Sequence, residues 1–378
     1  METRCLGLED DCNKVENTGS LSFPIYQTAT FVHEGVGKST GYDYSRLQNP
    51  TRERLEQVVA GLEGGIDALA FSSGMAAETT LMELFQPGDH LIIENDLYGG
   101  SVRLFDHINK KNGIEFSGVD LWREDVNHYI QDNTKAVYVE TPTNPMMNVT
   151  DIAALAEKLK GRGILLIVDN TFLSPYLQNP LALGADIVVH SGTKYLGGHN
   201  DALAGFLVTN RPDISERLRF FIKTTGAGLA PFDSWLILRG IQTLAVRMDR
   251  ACSNAWQLAQ WLEQQKKITK VIYPGLASHP GHEIMKKQAR GFGAMLTFEC
   301  ESSEVAQSLL EKTKLIKFAE SLGGTQTLIT YPLTQTHADV PEEKRLKNGI
   351  TDRILRLSVG IEAAEDLIAD LAQALDRS

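Results

Sequence analysis

HSGTKYLGGH (190–199) sets Lys194 among small and hydroxyl side chains, four residues after the apolar run DIVVH. ILLIVD (164–169) ends on Asp169, and FSSGMAA (71–77) puts Ser72, Ser73 and Gly74 between an apolar run and a helical pattern. A lysine that is positioned and desolvated is a base, or a nucleophile toward a carbonyl carbon. An acid closing an apolar strand is costly unless it meets a hydrogen-bond donor or a cation. Small residues opening a helix let backbone N–H groups converge on an anion such as phosphate. Each group has a plainer account alone: a snorkelling lysine, an acid bonded to a nearby loop, a serine-capped turn. Together they are the smallest kit for pyridoxal phosphate (PLP): a Schiff-base lysine, a pyridinium partner and a phosphate anchor.

The elements that would position these groups alternate. DALAF (67–71), DHLIIEN (89–95), KAVYVE (135–140), ILLIVD and DIVVH (186–190) are short apolar runs of the kind buried in a parallel sheet. GMAAETTLMELF (74–85) reads as a helix. In DIAALAEKLKGRG, Ile152, Leu155, Ala156 and Leu159 share a helical face, and Gly161 supplies a stop. Strand, helix, strand implies right-handed crossovers and a doubly wound sheet, whose ligands bind beyond the carboxyl ends of the strands. Lys194, Asp169, the FSSG turn and Asn144 (in TPTNP, after KAVYVE) all fall at such ends. Near residue 250 the rhythm changes. FGAMLTFEC, TLITYP and ILRLSVG read as strands, SSEVAQSLLEK and AAEDLIADLAQALD as helices. The expected organisation is an irregular, extended N-terminal arm (1–50), a mostly parallel doubly wound α/β domain (51–250) and a smaller α+β C-terminal domain (251–378).

The chain has 378 residues, 42% hydrophobic and 22% charged, an ordinary globular composition. Its net charge of −11 argues against a nucleic-acid partner. No apolar run is long enough to span a bilayer, and METRCLGLEDDCNK lacks the apolar core of a signal peptide, so a cytoplasmic protein with no membrane partner is expected. Cys5, Cys12, Cys252 and Cys300 form no CxxC pair and are expected as free thiols. TTGAGLAP (224–231) lacks the third glycine and the preceding strand of a dinucleotide fingerprint. His190 and His199 flank Lys194 without a second pair at metal spacing; they are expected to be structural, with no metal.

Nine stretches, in order along nearly the whole chain, resemble the PLP enzymes of cysteine and methionine metabolism, the cystathionine synthase and lyase group. They are YDYSRLQNPTRERLE (42–56), FSSGMAA, DLYGGSVRLF (96–105), VETPTNP (139–145), VDNTF (168–172), HSGTKYLGGHNDALAG (190–205), FAESLGG (318–324), THADVP (336–341) and LRLSVGIE (355–362). The resemblance implies the aminotransferase-like fold of type I and a set of roles. Lys194 would bond the cofactor aldehyde and act as base, Asp169 would pair with the ring nitrogen, and Tyr98 would stack on the ring and be a second candidate for proton transfer. Gly74, Met75, Ser191 and Thr193 would hold the phosphate. Tyr44 and Arg46 would reach the phosphate of a neighbouring subunit, in a homotetramer built as a dimer of dimers with shared active sites. Arg356, with Asn144 and Ser321, would hold the α-carboxylate of an amino-acid substrate. The residues agree: period-two alternation sets Arg356 opposite Leu355 and Leu357, and Tyr44 and Arg46 on one side of an extended arm.

Arg103 is either a surface helix arginine or a cation for the distal carboxylate of a substrate. With YPLTQTHADVPEE, it favours cystathionine γ-synthase, replacing the acyl group of O-acylhomoserine with cysteine, with O-acetylhomoserine thiolyase activity alongside. It disfavours methionine γ-lyase, because methionine has no distal carboxylate. The alternative is a cystathionine γ- or β-lyase releasing a 2-oxo acid, ammonia and a thiol; a distant one is a non-catalytic PLP-binding protein. The chain departs from the family at CLGLEDD, where a His-Gly pair is common, which bears only on arm packing and assembly.

Overall fold

The apolar runs become one sheet. A computed structural model describes residues 1–7, 19–338 and 340–377. Its first seven strands are β1 (Asp67–Phe71), β2 (His90–Glu94), β3 (Glu115–Val119), β4 (Thr134–Glu140), β5 (Leu165–Asp169), β6 (Ile187–Ser191) and β7 (Gly205–Thr209). They lie in the order β1-β7-β6-β5-β4-β2-β3. Only β7 is reversed, antiparallel to β1 and β6; the other pairings are parallel. This is the expected mostly parallel α/β sheet.

Register brings the chemical groups to one edge. Glu140 pairs with Asp169, Asp169 with Val189, and both Phe71 and Ser191 with Gly205. The period-two alternation of strands then sorts side chains by face. Tyr138, Ile167 and Val189 point into a core shared with Ala77 and Leu81 of helix Gly74–Met82. Glu140, Asp169 and Ser191 continue those same faces past the apolar core. Val137, Val139 and Val168 point the other way, onto Ile152, Leu155 and Leu159 of helix Ile152–Leu159. Asp151 caps that helix by accepting from the Ala154 N–H (2.9 Å), and Gly161 follows its end with a φ of +75°.

The second sheet contains β8 (Ile268–Ile272), β9 (Met295–Cys300), β10 (Lys317–Phe318), β11 (Leu328–Thr330) and β12 (Ile354–Ser358), ordered β10-β11-β12-β9-β8. All its pairings except β10–β11 are antiparallel. Helix Leu244–Leu262 runs unbroken through residue 250. The three-part division at 50 and 250, which we retain as a proposal, therefore places its second boundary inside a helix.

Strands β3, β7 and β8 carry weak signals in the sequence. β3 is a partly exposed edge strand (EFSGV), and β8 (ITKVI) has only its two ends buried. β7 is buried throughout, but it is short and follows a glycine-rich loop. In the arm, residues 19–49 contribute an isolated bridge, Thr30 to Tyr44. CLGLEDD from Leu8 onward, and Cys12, lie outside the described residues. Cys5, Cys252 and Cys300 are free thiols. Among the described residues, no helix is long and apolar enough to cross a membrane.

Candidate active site

Where the strand ends meet the second sheet lies a cavity of about 190 Å³. Its floor is the turn from β1 into helix Gly74–Met82. Ser73 caps the helix by accepting from the Ala76 N–H (3.1 Å). A Cβ on Gly74 would lie 3.2 Å from Ser191 Cβ, so glycine is what lets the helix start approach the end of β6. Gly74, Met75, Ser191 and Thr193 all line this end. The Thr193 hydroxyl is engaged with the backbone of Ala204, at 3.1 and 3.3 Å.

Tyr98 forms one wall. Its N–H donates to Glu140 Oε2 (2.9 Å), tying its loop to the end of β4. A Cβ on Gly100 would lie 2.4 Å from Tyr98 Cε1, so glycine leaves the space the ring occupies. Burial raises the Tyr98 phenol above its ordinary pKa, so it is protonated at neutral pH. Asp169 lies deep in the cavity and accepts from the Thr171 N–H (2.9 Å). Burial raises its carboxyl, opposed by the Thr171 hydrogen bonds. Among the described residues no lysine or arginine forms an ion pair with it.

Lys194 follows β6. Its Nζ donates to Ser321 Oγ (3.1 Å), and burial, helped by the Arg356 charge, lowers it to about 8. Ser321 has a φ of +108°, a strained position for a residue with a Cβ. Its carbonyl accepts from Arg356 Nη2 (3.2 Å). Arg356, on β12, also donates to Asn144 Oδ1 (2.7 Å) and Thr330 Oγ1 (3.2 Å). Its Nε is buried with no acceptor among the described residues. Burial lowers Arg356 only to about 10, so it stays cationic at neutral pH.

These residues fit PLP. A half-buried carboxyl group facing the cavity without a lysine or arginine partner among the described residues suits a protonated ring nitrogen, the Gly74 turn leaves room for phosphate, and Lys194 lines the same cavity. The open donor on Arg356 suits a substrate carboxylate. Two expected groups lie elsewhere. Tyr44 is exposed, and Arg46 stacks on its ring at 5.6 Å while Nη1 donates to the Lys223 carbonyl (2.5 Å). Neither lines this chain's cavity. Arg103 is exposed at the end of the short helix Gly99–Arg103, close enough for its charge to act on Tyr98. His190 is buried against Glu63 (Nε2 to Oε1, 2.6 Å), and Gly226 of TTGAGLAP is the left-handed stop of helix Pro212–Thr225.

The sequence reading missed Glu78, Glu140, Thr171, Glu320 and Thr336, all of which line the cavity. Glu140 was findable, because it ends KAVYVE as Asp169 ends ILLIVD. Glu78 interrupts the apolar face of GMAAETTLMELF and could have been flagged by that alone.

A family model described as Cys/Met metabolism PLP-dependent enzyme matches residues 5–376. A cystathionine γ-lyase of Bacillus subtilis (strain 168) is 48% identical over 377 residues, covering 100% of both chains. A cystathionine γ-synthase/O-acetylhomoserine (thiol)-lyase of the same organism is 51% identical over 361 residues, covering 95% of this chain and 92% of that one. Among solved structures, a cystathionine γ-lyase from Lactobacillus plantarum complexed with L-serine superposes with a TM-score of 0.95, at 44% identity, covering 99% of this chain and 98% of its own.

Proposed function

Because the chain belongs to the Cys/Met metabolism PLP-dependent enzyme family, we propose that it acts as a cystathionine γ-synthase. It would exchange the acyl group of an O-acylhomoserine for the thiol of cysteine, giving cystathionine and the free carboxylic acid. The observation that carries this reading is one half-buried amine, Lys194, held in a cavity with the Arg356 guanidinium and the Asp169 carboxyl group. The 51% identity to the Bacillus synthase and thiol-lyase supports the choice of γ-replacement.

PLP, when bound, supplies an electron sink conjugated to the substrate α-carbon. Asp169 favours a protonated ring nitrogen. Arg356, with Asn144 and Ser321, takes the α-carboxylate and fixes which end of the amino acid enters. Lys194, brought to about 8 by burial, has a usable neutral fraction near neutral pH. It removes the α-proton and moves protons between the α- and β-carbons. Loss of the β-proton lets the acyloxy group leave the γ-carbon, where the cysteine thiol adds. Tyr98, whose phenol is protonated at neutral pH and lines the same cavity, is the second candidate for proton transfer. Arg103 meets the distal carboxylate of cystathionine or of a succinylated substrate. Tyr44 and Arg46 extend from the arm to the phosphate site of a second subunit, within a homotetramer.

A second reading, cystathionine γ-lyase, is favoured by the Bacillus lyase that matches over the full length of both chains. The two separate on one comparison. The enzyme is given O-acetylhomoserine plus cysteine, and separately cystathionine alone. Faster formation of cystathionine than of 2-oxo acid and ammonia supports the synthase; the reverse supports the lyase.

A further inference from the structure

Glu78 is a buried acid to which the proposed reaction gives no task. It lies one turn beyond Gly74 on helix Gly74–Met82 and is 4% exposed. Oε1 accepts from Ser101 Oγ (3.0 Å). Oε2 is buried without a partner among the described residues, and the side chain forms part of the cavity wall. The titratable groups that act on it come from every neighbouring element: Asp169 from β5, Tyr138 and Glu140 from β4, and Tyr98 at the start of the helix carrying Ser101. None is a cation.

Carboxyls crowded into low dielectric cannot all ionise. Their hydrogen bonds decide which one does. Asp169 accepts from a main-chain N–H and is further favoured as an anion by the Thr171 hydroxyl. Glu78 is met only by hydroxyls, those of Ser101 and Tyr138, and a hydroxyl bonds a neutral acid as readily as an anion. Burial, with Asp169 beside it, pushes Glu78 up to about 8. Burial also holds Glu140 well above its ordinary range, and its Oε2 already accepts from the Tyr98 N–H. Glu78 therefore differs from Glu140 in having an unpartnered oxygen that is itself fully buried.

We propose that Glu78 is a positioning residue held as the neutral acid, its Oε2 hydroxyl a hydrogen-bond donor in the wall of the PLP cavity and its lack of charge leaving the negative charge on Asp169. This rests on reading Asp169 as the partner of the ring nitrogen. A glutamine keeps both the shape and the donor, whereas an alanine removes the donor. A true anion at this position would behave oppositely, since glutamine would then delete a charge.

The test uses the PLP-loaded enzyme with ¹³C-labelled glutamate at pH 7. The infrared difference between wild type and Glu78→Gln should show loss of a carboxylic-acid C=O band, not of a carboxylate band. The PLP dissociation constant should change by less than about twofold in Glu78→Gln and weaken about three- to tenfold in Glu78→Ala, as for one lost hydrogen bond. Loss of a carboxylate band, or Glu78→Gln weakening PLP as much as Glu78→Ala does, overturns the proposal. Should Glu78→Gln not fold, Glu78→Met provides the subtraction spectrum and the same band decides. Asp169→Asn separates the two levels. If it leaves the pH dependence of the bound cofactor's absorbance unchanged, the Asp169 assignment fails; if it shifts that dependence while the acid band is missing, only the Glu78 inference fails.

Discussion

The two charged ends of the cavity solve burial in opposite ways. At the acid end, Glu78, Glu140 and Asp169 come from a helix start and the tips of parallel strands. At the other end, Arg356 comes from the middle of an antiparallel strand, with Leu355 and Leu357 fully buried on the opposite face. Neutral oxygens from Asn144, Ser321 and Thr330 surround its guanidinium, so burial lowers it only to about 10 and its charge is fixed at any working pH. The acids have few donors and repel one another, so burial moves them into the range where protons come and go, about 8 for Glu78. A guanidinium is a permanent charge and a buried carboxyl an adjustable one. Lys194 is adjustable too, pushed down by its own burial and by the Arg356 charge.

Breaking the comparison at its centre has the largest effect. Lys194→Ala should lower turnover by at least about 10²–10⁴-fold from the lost base alone, checked by α-proton exchange followed by NMR. At the fixed-charge end, Arg356→Lys keeps a cation but loses the fork. KM should rise about 10- to 100-fold with a smaller change in kcat, measured by steady-state kinetics on O-acetylhomoserine. At the adjustable end, the sign follows from the folded pKa of Glu78 lying above its ordinary 4.5, at about 8. Between these values the unfolded chain has already released the proton that the folded one keeps, so folding stability falls as pH rises through the window. Once PLP is removed, wild type should lose up to about 1.4 kcal/mol per pH unit relative to Glu78→Gln, with the gap levelling above pH 8; urea titrations across pH would read it. The smallest effect is at the rim. Arg103→Ala should weaken cystathionine about two- to fivefold, as for an exposed ion pair, and leave O-acetylhomoserine, which has no distal carboxylate, unchanged.

Much of this was legible in the residues. Asp169 and Lys194 follow apolar runs that could only be buried strands, and strand-end geometry brings such residues together. Arg356 was legible by alternation. Glu140 and Glu78 were not singled out, although one ends an apolar strand and the other interrupts an apolar helix face; that both share a cavity with Asp169 shows only once the neighbouring strand and helix are in register. The reversal of β7 was equally hidden, since strand direction depends on pairing rather than composition. Tyr44 and Arg46 were placed in a shared site by resemblance; the single chain shows both of them away from its own cavity, Tyr44 exposed and Arg46 stacked on its ring.

The account stands on the ε-amine of Lys194 as the covalent anchor of the cofactor. Borohydride reduction of the PLP-loaded enzyme, followed by peptide mapping, reads that bond directly. The label is expected on the peptide containing SGTKYLGG, at Lys194. A pyridoxyl group on any other lysine, or none retained after reduction, would contradict it.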